Sequence, residues 1–114
     1  MPLVRITTNV PFDHPSSVRL CGEVTSIVSK ELGKPESITM AVLEAGAAMT
    51  FGGAPDPSAL FEIEGIELPS DPTNELCQSL SDLAESLMEV PQDRVFVKLT
   101  NVPRGYWAGN RKVY

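Results

Sequence analysis

A pattern of strand, helix, proline turn and strand occurs twice in this chain, in residues 2–43 and again in residues 60–99. Pro35 and Pro91 occupy equivalent places in the two halves. Two such halves form a β-α-β-β-α-β arrangement. Because both crossovers have the same right hand, both helices should lie on one face of a four-stranded sheet. The sequence therefore predicts an α+β fold, formed by residues 1–114 as one domain, with the other sheet face uncovered.

The first half begins with an apolar, β-branched strand at residues 3–7 and continues into a helix. Asp13 suits the N-cap of this helix, Pro15 its first turn, and Gly33 the left-handed residue that ends it. Apolar residues recur between these ends at helical spacing, at Val18, Cys21, Val24, Ile27, Val28 and Leu32. Residues 38–43 are almost continuously apolar, which predicts a central strand buried on both faces.

A glycine pair divides the two halves. Gly52 and Gly53 permit positive φ angles, but Ala54 and Pro55 follow them where a phosphate loop needs a lysine and a hydroxyl. The next predicted strand covers residues 60–68. Three acidic residues interrupt its apolar positions and should face solvent: Glu62, Glu64 and Glu67.

The second half continues with a predicted loop at residues 69–72 and a helix from Thr73. The apolar residues of this helix are Leu76, Leu80, Leu83, Ala84 and Leu87. A strand follows at residues 94–99, and the tail from Asn101 is predicted to be irregular. The aromatic residues of the tail are Tyr106, Trp107 and Tyr114.

An uncovered sheet face should expose apolar side chains. Depending on the phase of the strands, these would be Val4 and Ile6, or Val95, Val97 and Leu99. Such a patch is larger than soluble monomers usually expose. We therefore expect oligomerisation to cover it.

Composition excludes several classes of function. A net charge of −6 and a pI near 4.6 argue against nucleic acid, whose phosphates require a basic face. No apolar run approaches the roughly 20 residues of a membrane span, and the N-terminus lacks the regions of a signal peptide. We expect a cytoplasmic protein with no membrane partner. Export by a route that needs no signal peptide stays open. Cys21 and Cys77 are predicted to be reduced, buried thiols.

The N-terminus carries one unusual chemical possibility. Removal of Met1 would leave Pro2 with a secondary amine at the tip of the first strand. An α-amino group titrates near about 7.7–8.0, and burial beside apolar residues and a cation would lower that pKa. The ring also fixes φ, so the lone pair has a defined direction. On these residues alone, a strand that merely begins with proline remains the simpler interpretation.

The sequence has few residues for other kinds of catalytic or metal site. His14 is the one histidine, so neither a histidine metal cluster nor a Ser-His-Asp triad is expected, and we expect no cofactor. The basic residues of the tail, Arg104, Arg111 and Lys112, are either surface charge or the border of an anion pocket with Lys34.

Several short motifs occur together in one order. They are Met1-Pro2, Thr8-Asn9-Val10-Pro11, Gly33-Lys34-Pro35-Glu36-Ser37, Met49-Thr50-Phe51-Gly52-Gly53, Asp56-Pro57-Ser58-Ala59, Pro91-Gln92-Asp93-Arg94-Val95 and Trp107. In this combination the chain resembles the macrophage migration inhibitory factor branch of the tautomerase superfamily. The resemblance implies a homotrimer of β-α-β-β-α-β subunits around a central channel. It also implies three sites at subunit interfaces that catalyse keto–enol tautomerisation of small α-keto acids such as phenylpyruvate.

The resemblance assigns roles to individual residues. Pro2 would be the catalytic base. The substrate-binding residues would be Lys34, Ile66, Lys98, Phe96 and Trp107. Most of these also have an ordinary structural explanation: a solvated turn lysine at Lys34, core positions at Ile66 and Phe96, and packing of the tail by Trp107.

Departures from the family pattern leave a second function open. Ile38 and Phe96 stand where well-known members have tyrosines, and Lys98 stands where they have asparagine. Residues 58–61 replace a Cys-x-x-Cys motif, so no thiol redox activity is expected from that segment. The alternatives are a weakly catalytic or non-catalytic signalling trimer that binds a protein partner, and a generic ferredoxin-like regulatory module.

Overall fold

The computed structural model describes residues 1–69, 71 and 73–114. Its elements are β1 (Leu3–Thr8), α1 (His14–Leu32), β2 (Met40–Glu44), β3 (Ala59–Gly65), α2 (Thr73–Met88), β4 (Val95–Asn101), β5 (Ala108–Gly109) and β6 (Lys112–Val113). The loop predicted for residues 69–72 includes Ser70 and Pro72, which lie outside the described residues. Within the described part, no helix combines the length and apolar character that crossing a bilayer requires.

The main sheet has the strand order β2-β1-β3-β4. β1 pairs with β2 in parallel, β3 pairs with β4 in parallel, and the central pair β1 and β3 is antiparallel. Pro35 and Pro91 each precede a single 3₁₀ turn, with φ and ψ of −65° and 140° in one half and −59° and 143° in the other. The two halves therefore repeat in structure as well as in pattern, which confirms the predicted β-α-β-β-α-β fold.

One hydrophobic core lies between the sheet and the two helices. The central strands supply Val4, Ile6, Phe61 and Ile63, all fully buried. The helices add a larger set: Leu20, Val24, Val28 and Leu32 from α1, and Leu76, Leu80, Leu83, Ala84 and Met88 from α2. Because both helices share this core, they lie on one face of the sheet, as predicted.

The ends of α1 follow the predicted capping residues. The Asp13 side chain accepts a hydrogen bond from the Ser16 amide at 2.8 Å, and Pro15 lies in the first turn. Gly33 ends the helix at φ 64°, in the left-handed region, and its amide bonds to the Ser29 carbonyl oxygen. Lys34 follows directly, so the helix end determines where this lysine begins.

The prediction of a buried central strand at residues 38–43 is wrong. Ile38 belongs to the 3₁₀ turn, and β2 begins at Met40 and lies at the edge of the sheet, with partly exposed side chains. Since β1 and β3 join the two halves, they take the central places and leave β2 and β4 outside. β3 also ends at Gly65, earlier than predicted.

The residues expected to form an apolar patch face the core, and the uncovered face of the sheet mixes charged side chains with apolar ones such as Met40 and Phe96, which are 64% and 63% exposed. Val4 and Ile6 are buried under the helices, and Val95, Val97 and Leu99 pack against the same core. The residues that alternate with these along each strand face outward. Arg5 pairs with Glu62 and Glu62 with Lys98, so charges of alternating sign run across three neighbouring strands.

Three smaller predictions also differ from the structure. Cys21 and Cys77 are only partly buried, not buried as predicted. Leu87 is 49% exposed, and Met88 takes the buried place at the end of α2. The tail is not irregular throughout, because β5 and β6 form an antiparallel hairpin. Its turn residues Asn110 and Arg111 have φ of 46° and 65°, the combination of a tight hairpin turn that asparagine favours.

Candidate active site

The N-terminus is held inside the fold. Pro2 is fully buried, and its carbonyl oxygen accepts a hydrogen bond from the Met40 amide at 3.0 Å. Gly65 lies alongside: a Cβ added there would come within 2.6 Å of the Leu68 side chain and 3.7 Å of the Met1 carbonyl oxygen. A side chain at residue 65 would therefore disturb the packing around the first two residues.

A cavity of about 610 Å³ opens beside Pro2. Its size is within the range of small-molecule sites. The lining residues that bear on its chemistry are Met1, Pro2, Ile38, Glu64, Tyr106, Trp107 and Tyr114. The walls are thus mainly apolar and aromatic, and Glu64 brings a carboxylate to the cavity.

The tail hairpin forms the aromatic wall. The Tyr114 amide donates to the Trp107 carbonyl oxygen at 2.8 Å, and the Gly105 amide donates to the Tyr114 carbonyl oxygen at 2.6 Å. The Tyr114 ring and hydroxyl lie 3.3 Å from the place where a Gly109 side chain would begin. Because these contacts join both ends of the tail, Trp107 and Tyr114 are held together on one side of the cavity.

The amine at the N-terminus has a lowered pKa. Partial burial is the main cause for the Met1 amine, and the positive charge of Lys34 adds to it. With Met1 in place, the nitrogen of Pro2 is an amide and has no basic lone pair. Removal of Met1 would transfer the free amine to Pro2, one residue further inside.

Lys34 lies on a charged rim near this amine. The Ser29 hydroxyl donates to the Lys34 carbonyl oxygen, which fastens the lysine backbone to the end of α1. Glu67 and Arg104 form an exposed ion pair at 2.6 Å. The pKa of Glu67 is lowered, chiefly by the hydrogen bond from Arg104, with a smaller effect of Lys34. Lys34 is therefore a cation that acts on both the terminal amine and Glu67.

The remaining predicted site residues are distributed around the fold. Ile66 is buried, with 6% exposure, just after β3. Phe96 and Lys98 project from β4, and Phe96 is 63% exposed. Phe96 lines a second cavity of about 320 Å³, where its ring centroid lies 4.8 Å from that of Phe51. Within one chain, Pro2 and Trp107 share a cavity whose lining does not include the other predicted site residues, Lys34, Ile66, Phe96 and Lys98.

Sequence reasoning missed most of the residues that line the cavity beside Pro2, among them Glu64, Tyr106 and Tyr114. It treated Glu64 as a solvated strand residue and both tyrosines as parts of an irregular tail. One local signal was available, since Gly109-Asn110 is a dipeptide typical of hairpin turns. No local signal indicated that the hairpin would fold back against the N-terminus.

Comparison with known proteins identifies the class. The family model described as macrophage migration inhibitory factor matches residues 1–110. The chain therefore belongs to the macrophage migration inhibitory factor family.

Its relatives extend over the full length of the chain. A macrophage migration inhibitory factor homolog of Brugia malayi is 30% identical over 115 aligned positions, which cover 100% of this chain and 99% of the relative. The crystal structure of the homologue from Prochlorococcus marinus has a TM-score of 0.89 at 29% identity, with 97% of each chain covered. The Toxoplasma gondii protein has a TM-score of 0.90 at 26% identity, with 98% of this chain and 99% of that chain covered.

Proposed function

We propose that this protein is a keto–enol tautomerase for aromatic α-keto acids such as phenylpyruvate, with Pro2 as the catalytic base once Met1 is removed. The observation that carries the proposal is the buried N-terminus beside an aromatic cavity, where burial and Lys34 lower the pKa of the terminal amine. A base whose pKa is near the working pH is the most effective one for proton transfer. Membership of the family supports the same chemistry.

The reaction moves one proton. The Pro2 nitrogen takes a proton from the carbon between the ring and the ketone, and the electron pair of that C–H bond becomes the new C=C bond. The carbonyl π pair moves to the ketone oxygen, which takes a proton from water. Pro2 then releases its proton to solvent, so substrate and product are isomers and no cofactor is needed. Lys34 would bind the substrate carboxylate, and Trp107 would contact the ring.

We further propose that the active form is a homotrimer. Phe96 and Lys98 lie on the edge strand β4, outside the Pro2 cavity of their own chain. In an assembly they would contribute from a neighbouring copy, with Phe96 extending the aromatic wall and Lys98 adding a cation for the carboxylate. Ile66, which is buried, would support the site through packing.

The test compares three forms of the protein. Intact-mass measurement first establishes that Met1 has been removed. Pro2→Gly keeps a terminal amine but loses the secondary amine and its fixed direction, and we expect phenylpyruvate turnover to fall about 10-fold or more. An alanine inserted before Pro2 keeps every side chain and converts the proline nitrogen to an amide. We expect a loss of about 100-fold for this form, the usual contribution of a general base.

Equal turnover by all three forms would remove Pro2 from the mechanism. Retention of Met1 in the native protein would have the same consequence, because the proline nitrogen would then be an amide.

A second candidate function is a signalling trimer that binds a protein partner. The exposed apolar side chains Ile38 and Phe96 favour it, since both stand at positions where the family's best-known members carry a tyrosine hydroxyl. The test uses the same Pro2→Gly variant. A partner that bound wild type and variant equally would show that recognition does not depend on the base.

A further inference from the structure

We infer that the Tyr114 hydroxyl donates a hydrogen bond to the ketone oxygen of the substrate and stabilises the enolate that forms there. The inference rests on the proposed function. It adds a residue that makes direct contact with the reacting atoms and that neither the sequence pattern nor the family resemblance indicated.

The position of Tyr114 is the first support. The residue lines the same cavity as Pro2 and is partly buried. Its amide and carbonyl groups are both bonded to other parts of the tail, to Trp107 and Gly105. Its ring lies over Gly109, where even a methyl group would be crowded at 3.3 Å. The backbone and ring are thus restrained, so the hydroxyl needs little reorganisation to meet a ligand.

The chemistry of the cavity is the second support. Removing the proton leaves negative charge on the ketone oxygen, and a donor placed there lowers the barrier. Ile38 offers no donor, and the Thr39 hydroxyl is already engaged with the Pro35 carbonyl oxygen at 2.8 Å. Tyr106 has a hydroxyl but is 81% exposed, so water competes with it. Tyr114 is the more sheltered of the two phenols.

The charges at the site are compatible with a neutral donor at the ketone oxygen. Lys34 lies close enough to the terminal amine to lower its pKa, and a carboxylate would be drawn to that side. The ketone carbon is bonded to the carboxylate carbon, and a substrate held in this way leaves a lone pair of its ketone oxygen open to a further donor. Tyr114 supplies a hydrogen bond there while the proton that completes the enol comes from water, so the atoms balance as in the proposed reaction.

Tyr114→Phe removes only the hydroxyl and is the test variant. We expect kcat/KM for phenylpyruvate to fall about 10-fold or more, since one such donor commonly contributes a factor of that order or larger. Tyr106→Phe is the comparison, and the loss there should be the smaller of the two. A loss confined to Tyr106→Phe would overturn the inference, as would equal rates for Tyr114→Phe and wild type.

A second ligand distinguishes the loss of a direct contact between Tyr114 and the substrate from general damage to the cavity. 3-Phenylpropionate has the ring and carboxylate of phenylpyruvate but no ketone oxygen, so Tyr114→Phe should change its Kd by less than about twofold. If the variant weakened 3-phenylpropionate as much as it slowed turnover, the hydroxyl would have only a structural role.

The same pair of ligands keeps the inference testable if the mature wild type does not turn over phenylpyruvate. In that case the Kd values of both compounds are measured for wild type and variant. A loss of affinity for phenylpyruvate alone would support the contact while the proposed activity failed. Equal changes for both compounds would overturn it.

Discussion

The terminal amine illustrates how two neighbours adjust one group. Burial disfavours its charged form, and Lys34 adds repulsion between like charges. Both effects lower the pKa, so the free base becomes available at a lower pH. Because Pro2 is more deeply buried than Met1, the same effects should act on the proline amine after Met1 is removed.

Lys34→Gln tests this electrostatic effect. Without the lysine charge the pKa of the Pro2 amine should rise, and since only the free base accepts a proton, the acidic limb of the kcat/KM profile should move to higher pH. The measurement is the pH dependence of phenylpyruvate turnover. Lys30→Gln removes an equal charge from the exposed last turn of α1 and is the control. An unchanged acidic limb in Lys34→Gln would contradict the effect.

Glu64 places a negative charge in a cavity proposed to bind an anion. Two like charges about 4 Å apart in water-like surroundings repel each other by about 1 kcal/mol, or roughly fivefold in affinity. Glu64→Gln should therefore lower KM for phenylpyruvate by up to about fivefold. Glu44→Gln on the exposed end of β2 provides the matched control. The prediction fails if both variants shift KM equally or if Glu64→Gln raises it.

The helix α1 contains two glycines in opposite situations. Gly33 has φ of 64° at the helix end, whereas Gly22 lies in the helix interior, without the positive φ, and with open space where a side chain would begin. Left-handed backbone costs most residues about 1–2 kcal/mol. In a helix interior, however, alanine is better than glycine by about 0.5–1 kcal/mol.

Alanine substitutions at these two glycines should therefore have opposite effects. Gly33→Ala should lower the free energy of unfolding by about 1–2 kcal/mol, and Gly22→Ala should raise it by about 0.5–1 kcal/mol. Urea denaturation followed by circular dichroism measures both. Since Lys34 follows Gly33, the first variant should also weaken substrate binding, whereas Gly22→Ala should not. Effects of the same sign would show that backbone conformation does not govern this helix end.

The uncovered sheet face is a property of the whole subunit. It carries a row of alternating charges, Arg5, Glu62 and Lys98, where an apolar patch was expected. These charges separate the exposed apolar side chains Met40 and Phe96, so hydrophobic burial across this face is a weak argument for assembly. The proposed trimer rests on the family resemblance, and the location of Phe96 and Lys98 outside the Pro2 cavity is consistent with it.

Light scattering after size exclusion tests the assembly. We expect a mass of about three times the 12.3 kDa of one chain. Lys98→Glu would place like charges opposite each other at Glu62 and should weaken both the sheet edge and the assembly. Lys98→Gln removes the charge without adding repulsion and is its control. A fully active monomer at the assay concentration would exclude a contribution of neighbouring copies to the site.

The amino-acid sequence alone determined the order of elements and the ends of α1. These features depend on neighbours in the chain: Asp13 bonds to an amide three residues away, and Gly33 adopts a backbone angle that other residues avoid. The repeat with Pro35 and Pro91 is local in the same sense, because proline restricts its own φ. Pro2 could likewise be selected as a candidate from its position alone.

Tertiary structure decided which sheet face is buried, which strands lie at the edges, and what surrounds Pro2. Alternation along a strand leaves two phases open, and packing against the helices selected the one that buries Val97 and exposes Lys98. The cavity combines residues from opposite ends of the chain, with Glu64 and Tyr114 beside Pro2. No local sequence pattern predicts that these residues come together, because their proximity depends on how the helices and the hairpin pack onto the sheet.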